Sequence, residues 1–258
     1  LFFFFSLVMI AVTIGSCAQG NKEKERKPLT FLQPPIPVLL TSGSDILGYR
    51  ILHYWDLFPF KDSLCIQQEN FAEQAFTGFV NLLQEDPHVT ARDAIERMMT
   101  TAGTAADDPV VRKKILLKFF SLSEYFFYHP NSPYRNDDHF QAVLESMVAS
   151  PLLDTVEKQR PVYLLEMIMK NRVGEMARDI RFVRAVRNFP NTDDPASPET
   201  LYNLKSDYIL VFFINLGCNA CRQAADEILA SELLTEMVQQ KRLVILTIYP
   251  DKDLEGWQ

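Results

Sequence analysis

From Tyr208 to Cys221 the chain reads Tyr-Ile-Leu-Val-Phe-Phe-Ile-Asn-Leu-Gly-Cys-Asn-Ala-Cys. Its first seven residues are an unbroken apolar run rich in β-branched and aromatic side chains, which predicts a strand buried on both faces. Beyond Cys218 the pattern predicts a helix over 219–238, and Leu243-Val244-Ile245-Leu246-Thr247-Ile248 reads as a second buried strand. Strand, helix, strand is a crossover unit, expected to be right-handed with its strands parallel. Cys218 and Cys221 stand where the first strand hands over to the helix.

That position carries the chemistry. A helix N-terminus presents unpaired N–H groups and the positive end of the macrodipole, which favours a thiolate by an amount on the order of 1 kcal/mol. Cysteines in such a setting, and in Cys-X-X-Cys pairs, ionise below the ordinary thiol range. Cys218 is therefore the expected nucleophile. Cys221, one helical turn on, is placed to attack a mixed disulfide formed at Cys218 and release the reduced substrate. Arg222, four residues after Cys218, either adds favourable charge or is a solvated surface cation. Two other uses of such a pair stay open, half of a zinc site or an inert bridge. A four-sulfur zinc site needs a second pair, and the chain has 4 cysteines, the other two being Cys17 and Cys65. Cys65 reads as a small buried apolar residue.

Upstream, Ala177 to Ala185 alternates through Ile180, Phe182 and Arg184 in the manner of an exposed edge strand, and 188–200 is a polar loop rich in Asn, Asp, Pro and Ser. From 36 to 172 the apolar residues recur instead at three and four, the period of a helix face. Phe71, Ala75, Phe79, Leu82 and Leu83 make one stripe. Thr90 is a candidate cap for a second helix carrying Ala94, Ile95, Met98 and Met99. Asp108-Pro109 is a cap followed by proline at the first helical position, opening a helix with Ile115, Leu116, Phe119, Phe120, Leu122, Tyr125 and Phe126. Pro130-Asn131-Ser132-Pro133 must be a turn. Two further helices are expected near 137–149 and 155–171, with Gly174 close to a C-terminal cap. The aromatic and Met stripes read as core. Arg135-Asn136-Asp137-Asp138-His139 offers oxygen and imidazole ligands, but its simpler reading is a solvated loop in which Asp137 or Asp138 caps the next helix. The histidines at 53, 88, 129 and 139 lack the paired spacing of a zinc site, so neither a metal site nor a cofactor is assigned.

Composition narrows the function classes. The chain has 258 residues, room for about two domains at roughly 100–200 residues each, and its 47% apolar content allows a substantial core. With 33 acidic against 26 basic side chains the formal charge is −7, which argues against nucleic acid as a partner. Gly43 and Gly48 have phosphate-loop spacing, yet Tyr49 and Arg50 follow where Lys and Ser or Thr are required.

Residues 1–16 carry no charge and run Leu-Phe-Phe-Phe-Phe-Ser-Leu-Val-Met-Ile-Ala-Val-Thr-Ile-Gly-Ser. This is shorter than the roughly 20 apolar residues of a spanning helix and ends in small residues, the layout of a secretory leader and its cleavage site. Ile14-Gly15-Ser16-Cys17 resembles the lipobox of bacterial lipoproteins, which implies lipidation of Cys17; the alternative is an ordinary signal peptide with an incidental cysteine. No Met or basic segment precedes Leu1, so the sequence is expected to start a few residues late. The charged run Asn21 to Lys27 and the prolines at 28, 34 and 35 read as a tether over 17–35.

Phe212 to Cys221, preceded by Asn171-Arg172-Val173-Gly174-Glu175-Met176-Ala177-Arg178-Asp179-Ile180, resembles the entry segment and active-site turn of the membrane-anchored, TlpA/ResA-like thioredoxin-like thiol-disulfide oxidoreductases. The helical region is similar to a domain of unknown function that accompanies such a module in Gram-negative lipoproteins, on the strength of His53-Tyr54-Trp55-Asp56, of Tyr128 to Asn136 and of the Asn171 to Gly174 junction. The resemblance implies Cys218 as attacking and Cys221 as resolving thiol. It implies an α+β multidomain chain with an all-α domain at 36–172 and an α/β thioredoxin-like domain from 173 to 258. Gly217 stands where thioredoxin has Trp, and Asn215 where peroxidase relatives have Thr, which argues against peroxide reduction. The family's fold needs further strands after Ile248 and a cis-proline loop; Asp253-Leu254-Glu255 and Trp257 read as the start of the next element, so truncation at the C-terminus is expected. The expected protein is thus an exported lipoprotein of the cell envelope, facing the periplasm. It would exchange protein thiols and disulfides and be held to the membrane by its lipid. A binding or scaffold lipoprotein that works through its helical domain is the alternative of a different class.

Overall fold

The computed structural model describes residues 27–85, 91–184 and 198–251. The leader, Cys17, most of the tether, His88, Thr90, the bulk of the 188–200 loop and Trp257 lie outside them. The fold is helix-rich with few strands. It divides into two compact units, one reaching to Glu166 and one running from Met167.

The first unit is built from helices. They are α1 (Gly43–Leu52), the single turn α2 (Leu64–Gln67), α3 (Phe71–Leu83), α4 (Ala91–Thr104), α5 (Pro109–Ser123), α6 (Asp137–Ala149) and α7 (Thr155–Ile168), whose last residues cross into the second unit. The stripe expected on α3 is buried, and Ala72, Phe76 and Val80 widen it. Asp108 caps α5 as its spacing predicts, its carboxylate accepting from Val110 N–H at 2.8 Å with Pro109 at the first position. The core centres on Trp55. Its ring meets Phe58 at 5.1 Å, Phe119 at 5.2 Å and Phe79 at 5.4 Å in edge-to-face contacts, a geometry the ring quadrupole favours. Tyr54 donates to Ala75 O at 2.8 Å, and burial pushes its hydroxyl pKa up to about 12.

Four local expectations need correction. First, the helix through Tyr125 and Phe126 does not keep one period: α5 passes into a π turn, Glu124–Tyr128, where His129 N–H reaches back to Glu124 O. The wider turn rotates Phe126 and Phe127 into the core and leaves Tyr125 63% exposed. Second, the cap of α6 is Asn136 rather than Asp137 or Asp138. Asn136 Oδ1 accepts from both Asp138 and His139 N–H at 3.0 Å, because Asn136 alone has the extended backbone that aims a side chain at the first turn. Third, the last expected helix stops at Ile168, and Asn171, at φ 55°, is the left-handed residue nearest its end; Gly174, also at positive φ (86°), lies three residues further on. Fourth, the 17–35 tether is docked at its end. Phe31 packs on Tyr54, Trp55 and Phe58, and the Gln68 amide bonds both the N–H and the C=O of Leu29. Polar composition there hid one apolar anchor.

The second unit holds two small sheets. Strands β1 (Arg181–Phe182) and β2 (Glu199–Thr200) pair antiparallel, so the expected edge strand is present but only two residues long, steadied by the ion pair of Arg184 with Glu199. Strands β3 (Tyr208–Phe213) and β4 (Leu243–Ile248) pair in parallel along their whole length, Tyr208 opposite Leu243 and Phe213 opposite Ile248. The single helix expected between them is two, α8 (Asn219–Ala230) and α9 (Glu232–Gln239). Ser231 divides them because it closes α8 and then caps α9, its hydroxyl accepting from Leu234 N–H. The strands are half-buried rather than covered on both faces. Among the described residues each has one neighbour, and neither α8 nor α9 buries a residue, so Tyr208 and Phe213 both stay 54% exposed.

Candidate functional site

The site is the turn that joins β3 to α8. β3 ends at Phe213, and Ile214 N–H still bonds Ile248 O at 2.9 Å, so the chain leaves the sheet at a fixed point. Asn215 then reverses it. Its side-chain oxygen accepts from Leu216 N–H at 2.8 Å and its carbonyl accepts from Cys218 N–H at 3.4 Å. Gly217 has φ +70°, a left-handed conformation that costs an L side chain roughly 1–2 kcal/mol. A Cβ there would meet nothing within 4 Å, so the requirement for glycine is conformational, not steric.

Cys218 is the N-cap of α8. Its backbone is extended, at φ −78° and ψ 105°, and its sulfur accepts from the N–H of Cys221 at 3.1 Å, as a serine hydroxyl does at an ordinary cap. Its carbonyl takes the first helical bond, from Arg222 N–H at 3.1 Å. The two cysteines, their Cα atoms 5.3 Å apart, are joined in a disulfide. Both are half-buried, with exposed Gly217, Asn219 and Ala220 around them, so a partner's sulfur has a path to the pair. Arg222 is exposed. The arrangement combines a sulfur at the positive end of a helix, an N–H donor aimed at it and a second sulfur within bonding reach, the parts needed to hold a thiolate and exchange it.

Sequence reasoning placed the sulfurs and missed the turn that aims them. Asn215 and Gly217 appeared there only as replacements for other residues; Asn and Gly two apart after an apolar run is itself turn chemistry. Elsewhere the candidates separate. Cys65 is the buried free thiol expected of it, and burial first, then the charge of Asp62, pushes its pKa up to about 12. His139 is buried against the ring of Phe127 instead of facing the loop acids, and burial lowers its pKa. Asp137 pairs with Arg135. Among the described residues no three His, Cys, Asp or Glu side chains are grouped so as to hold a metal ion, and no helix is long and apolar enough to cross a membrane.

Residues 14–171 match the model of a domain of unknown function, DUF5106. Among solved structures the chain is similar to the crystal structure of a thioredoxin-like protein from Bacteroides caccae, at 32% identity and a TM-score of 0.75. That likeness covers 89% of this chain and 77% of the other, more than either unit alone would allow. No curated protein matches.

Proposed function

We propose, on the premise that this chain belongs to the DUF5106 family and is thioredoxin-like in fold, that it is a TlpA/ResA-like thiol-disulfide oxidoreductase working through Cys218 and Cys221. What carries the reading is one observation: the Cys218 sulfur caps α8 and accepts the Cys221 N–H. In the reduced protein that bond and the helix dipole favour the Cys218 thiolate.

The exchange conserves electrons and atoms. The Cys218 thiolate attacks one sulfur of a substrate disulfide, forms a mixed disulfide and expels the substrate's other sulfur as thiolate. The Cys221 thiolate then attacks Cys218 Sγ, closing the 218–221 bridge and releasing the second substrate thiol. The substrate has gained two electrons and the protein has lost them, and a partner dithiol restores the pair by the reverse sequence. Gly217 and Asn215 position the attacking sulfur and take no proton.

The leader at 1–16, with lipidation at Cys17, makes the protein an exported lipoprotein of a Gram-negative envelope, facing the periplasm, where disulfides persist. Its partners are protein thiols and disulfides there, and its lipid is the membrane contact.

The test is alkylation of the reduced protein with a mass-tagged thiol reagent across pH. Cys218 is expected to react well below the usual thiol pKa of about 8.5, and Cys218→Ser to abolish reduction of a model disulfide. A pair that alkylates only at the ordinary thiol pH, with no disulfide reduction, removes the enzymatic reading.

A further inference from the structure

A cavity of about 460 Å³ lies in the first unit where α4, α5 and α6 meet, away from the thiol pair in sequence and in chemistry. Its volume falls in the roughly 300–1,000 Å³ range of small-molecule sites. Met99, Leu116 and Leu152 give it an apolar wall, and the turn Ser150-Pro151-Leu152 lines it as well. The rest of the wall is largely polar, with Glu96, Thr100, Thr104, Arg112, Glu145 and Ser146.

One of them is unusual. Arg112, in the first turn of α5, lines the cavity with its Nε shielded from solvent and without a hydrogen-bond partner. A buried donor left unpaired is costly, and native proteins rarely leave one without a use. The two acids on the wall do not answer it. Glu96 is paired with Arg92 at 2.9 Å, and Glu145 is held by the same Arg92 and by Gln141. Two of the wall hydroxyls are committed as donors, Thr104 to Thr100 O and Ser146 to Ala142 O, so these two face a ligand only as acceptors. With Glu96 and Glu145 both bonded to Arg92, the guanidinium of Arg112 is the lining cation left to meet an acceptor, beside the apolar side chains of Met99, Leu116 and Leu152.

We propose that this cavity binds a small organic carboxylate with an apolar body, its carboxylate on Arg112 and its tail against Met99, Leu116 and Leu152. A guanidinium suits a carboxylate because the charge-assisted bond is about twice as strong as a neutral one and the fork can be engaged at two points.

Sodium octanoate, octan-1-ol and octylamine are the probes, added to the whole chain and followed by calorimetric titration and thermal melting. Octanoate is expected to bind and raise the melting temperature, octanol to bind about tenfold or more weakly, and octylamine not to bind. Arg112→Met should abolish octanoate binding while melting no lower than the parent without ligand, because it deletes an unpartnered donor. Leu152→Trp, which fills the chamber and keeps Arg112, should abolish binding too, and it carries the test if Arg112→Met does not fold. Octanoate binding equally to the parent and to either folded variant, octylamine binding in its place, or no binding of octanoate to the parent overturns the proposal.

Discussion

The two units use their apolar residues in opposite ways. In the first, Trp55, Phe58, Phe60, Phe76, Phe79 and Phe119 are nearly solvent-free, and the one cysteine among its described residues, Cys65, is fully buried with its pKa pushed up to about 12. In the second, Tyr208, Phe213, Leu229 and Leu233 are largely exposed, and two cysteines sit half-buried on a helix end. The same side chain is thus closed to solvent in one setting and reachable in the other. Burial disfavours the ionised form of a thiol, whereas a helix N-terminus offers it N–H donors.

The largest expected effect tests the dense half of that contrast. Trp55→Ala should destabilise the first unit by about 3–5 kcal/mol, the range for aromatic truncation in a packed core, read from urea unfolding followed by circular dichroism. Leu229→Ala, at a position 76% exposed, should change stability by less than about 0.5 kcal/mol. Comparable losses in the two variants would erase the distinction.

Gly217→Ala sharpens the other half. It places a side chain in the left-handed region and should cost roughly 1–2 kcal/mol. Because Gly217 positions Cys218 only through the backbone, the variant should slow disulfide reduction while both thiols still titrate with alkylating reagent. Full activity at unchanged stability would mean the turn does not need that conformation.

His139 gives the first unit a pH dependence of known sign. Burial holds its folded pKa below the ordinary value near 6.5, with the Asp138 charge opposing. The folded state therefore resists protonation while the unfolded chain accepts it. Stability is fully present above about pH 6.5 and falls as pH drops from there toward the depressed folded pKa, with a slope of at most about 1.4 kcal/mol per pH unit. Urea midpoints measured between pH 7.5 and 5 should show the fall, and His139→Phe should flatten the part due to this residue. A slope identical in the variant would assign it to other groups.

The smallest effect concerns the helix break. Ser231→Ala removes the hydroxyl that accepts Leu234 N–H and should cost about 1 kcal/mol, seen as a lower melting temperature. No change would show that α9 starts without its cap.

Much of this was readable one residue at a time. The α3 stripe, the Asp108-Pro109 start and the two parallel strands with their CxxC junction follow from periodicity and turn chemistry, which are local. The misreadings have local causes of another kind. A π turn breaks the 3.6 period without any marker residue, so Tyr125 looked like core. Asn136, Asp137 and Asp138 are all capping types, and composition does not say which one has the extended backbone. Ser231 looks like any helix-tolerated serine until its own φ and ψ are known.

By itself the amino-acid order determined the helical and strand-bearing halves and put two sulfurs three residues apart at a strand-to-helix junction, because hydrogen-bond periodicity and turn preference depend on near neighbours. The tertiary structure alone decided that Phe31 joins the aromatic core, that the sheet strands are only half covered and that Arg112 is left without a partner beside a cavity. Those outcomes depend on which distant surfaces meet, and burial is a property of that meeting and not of any segment of chain.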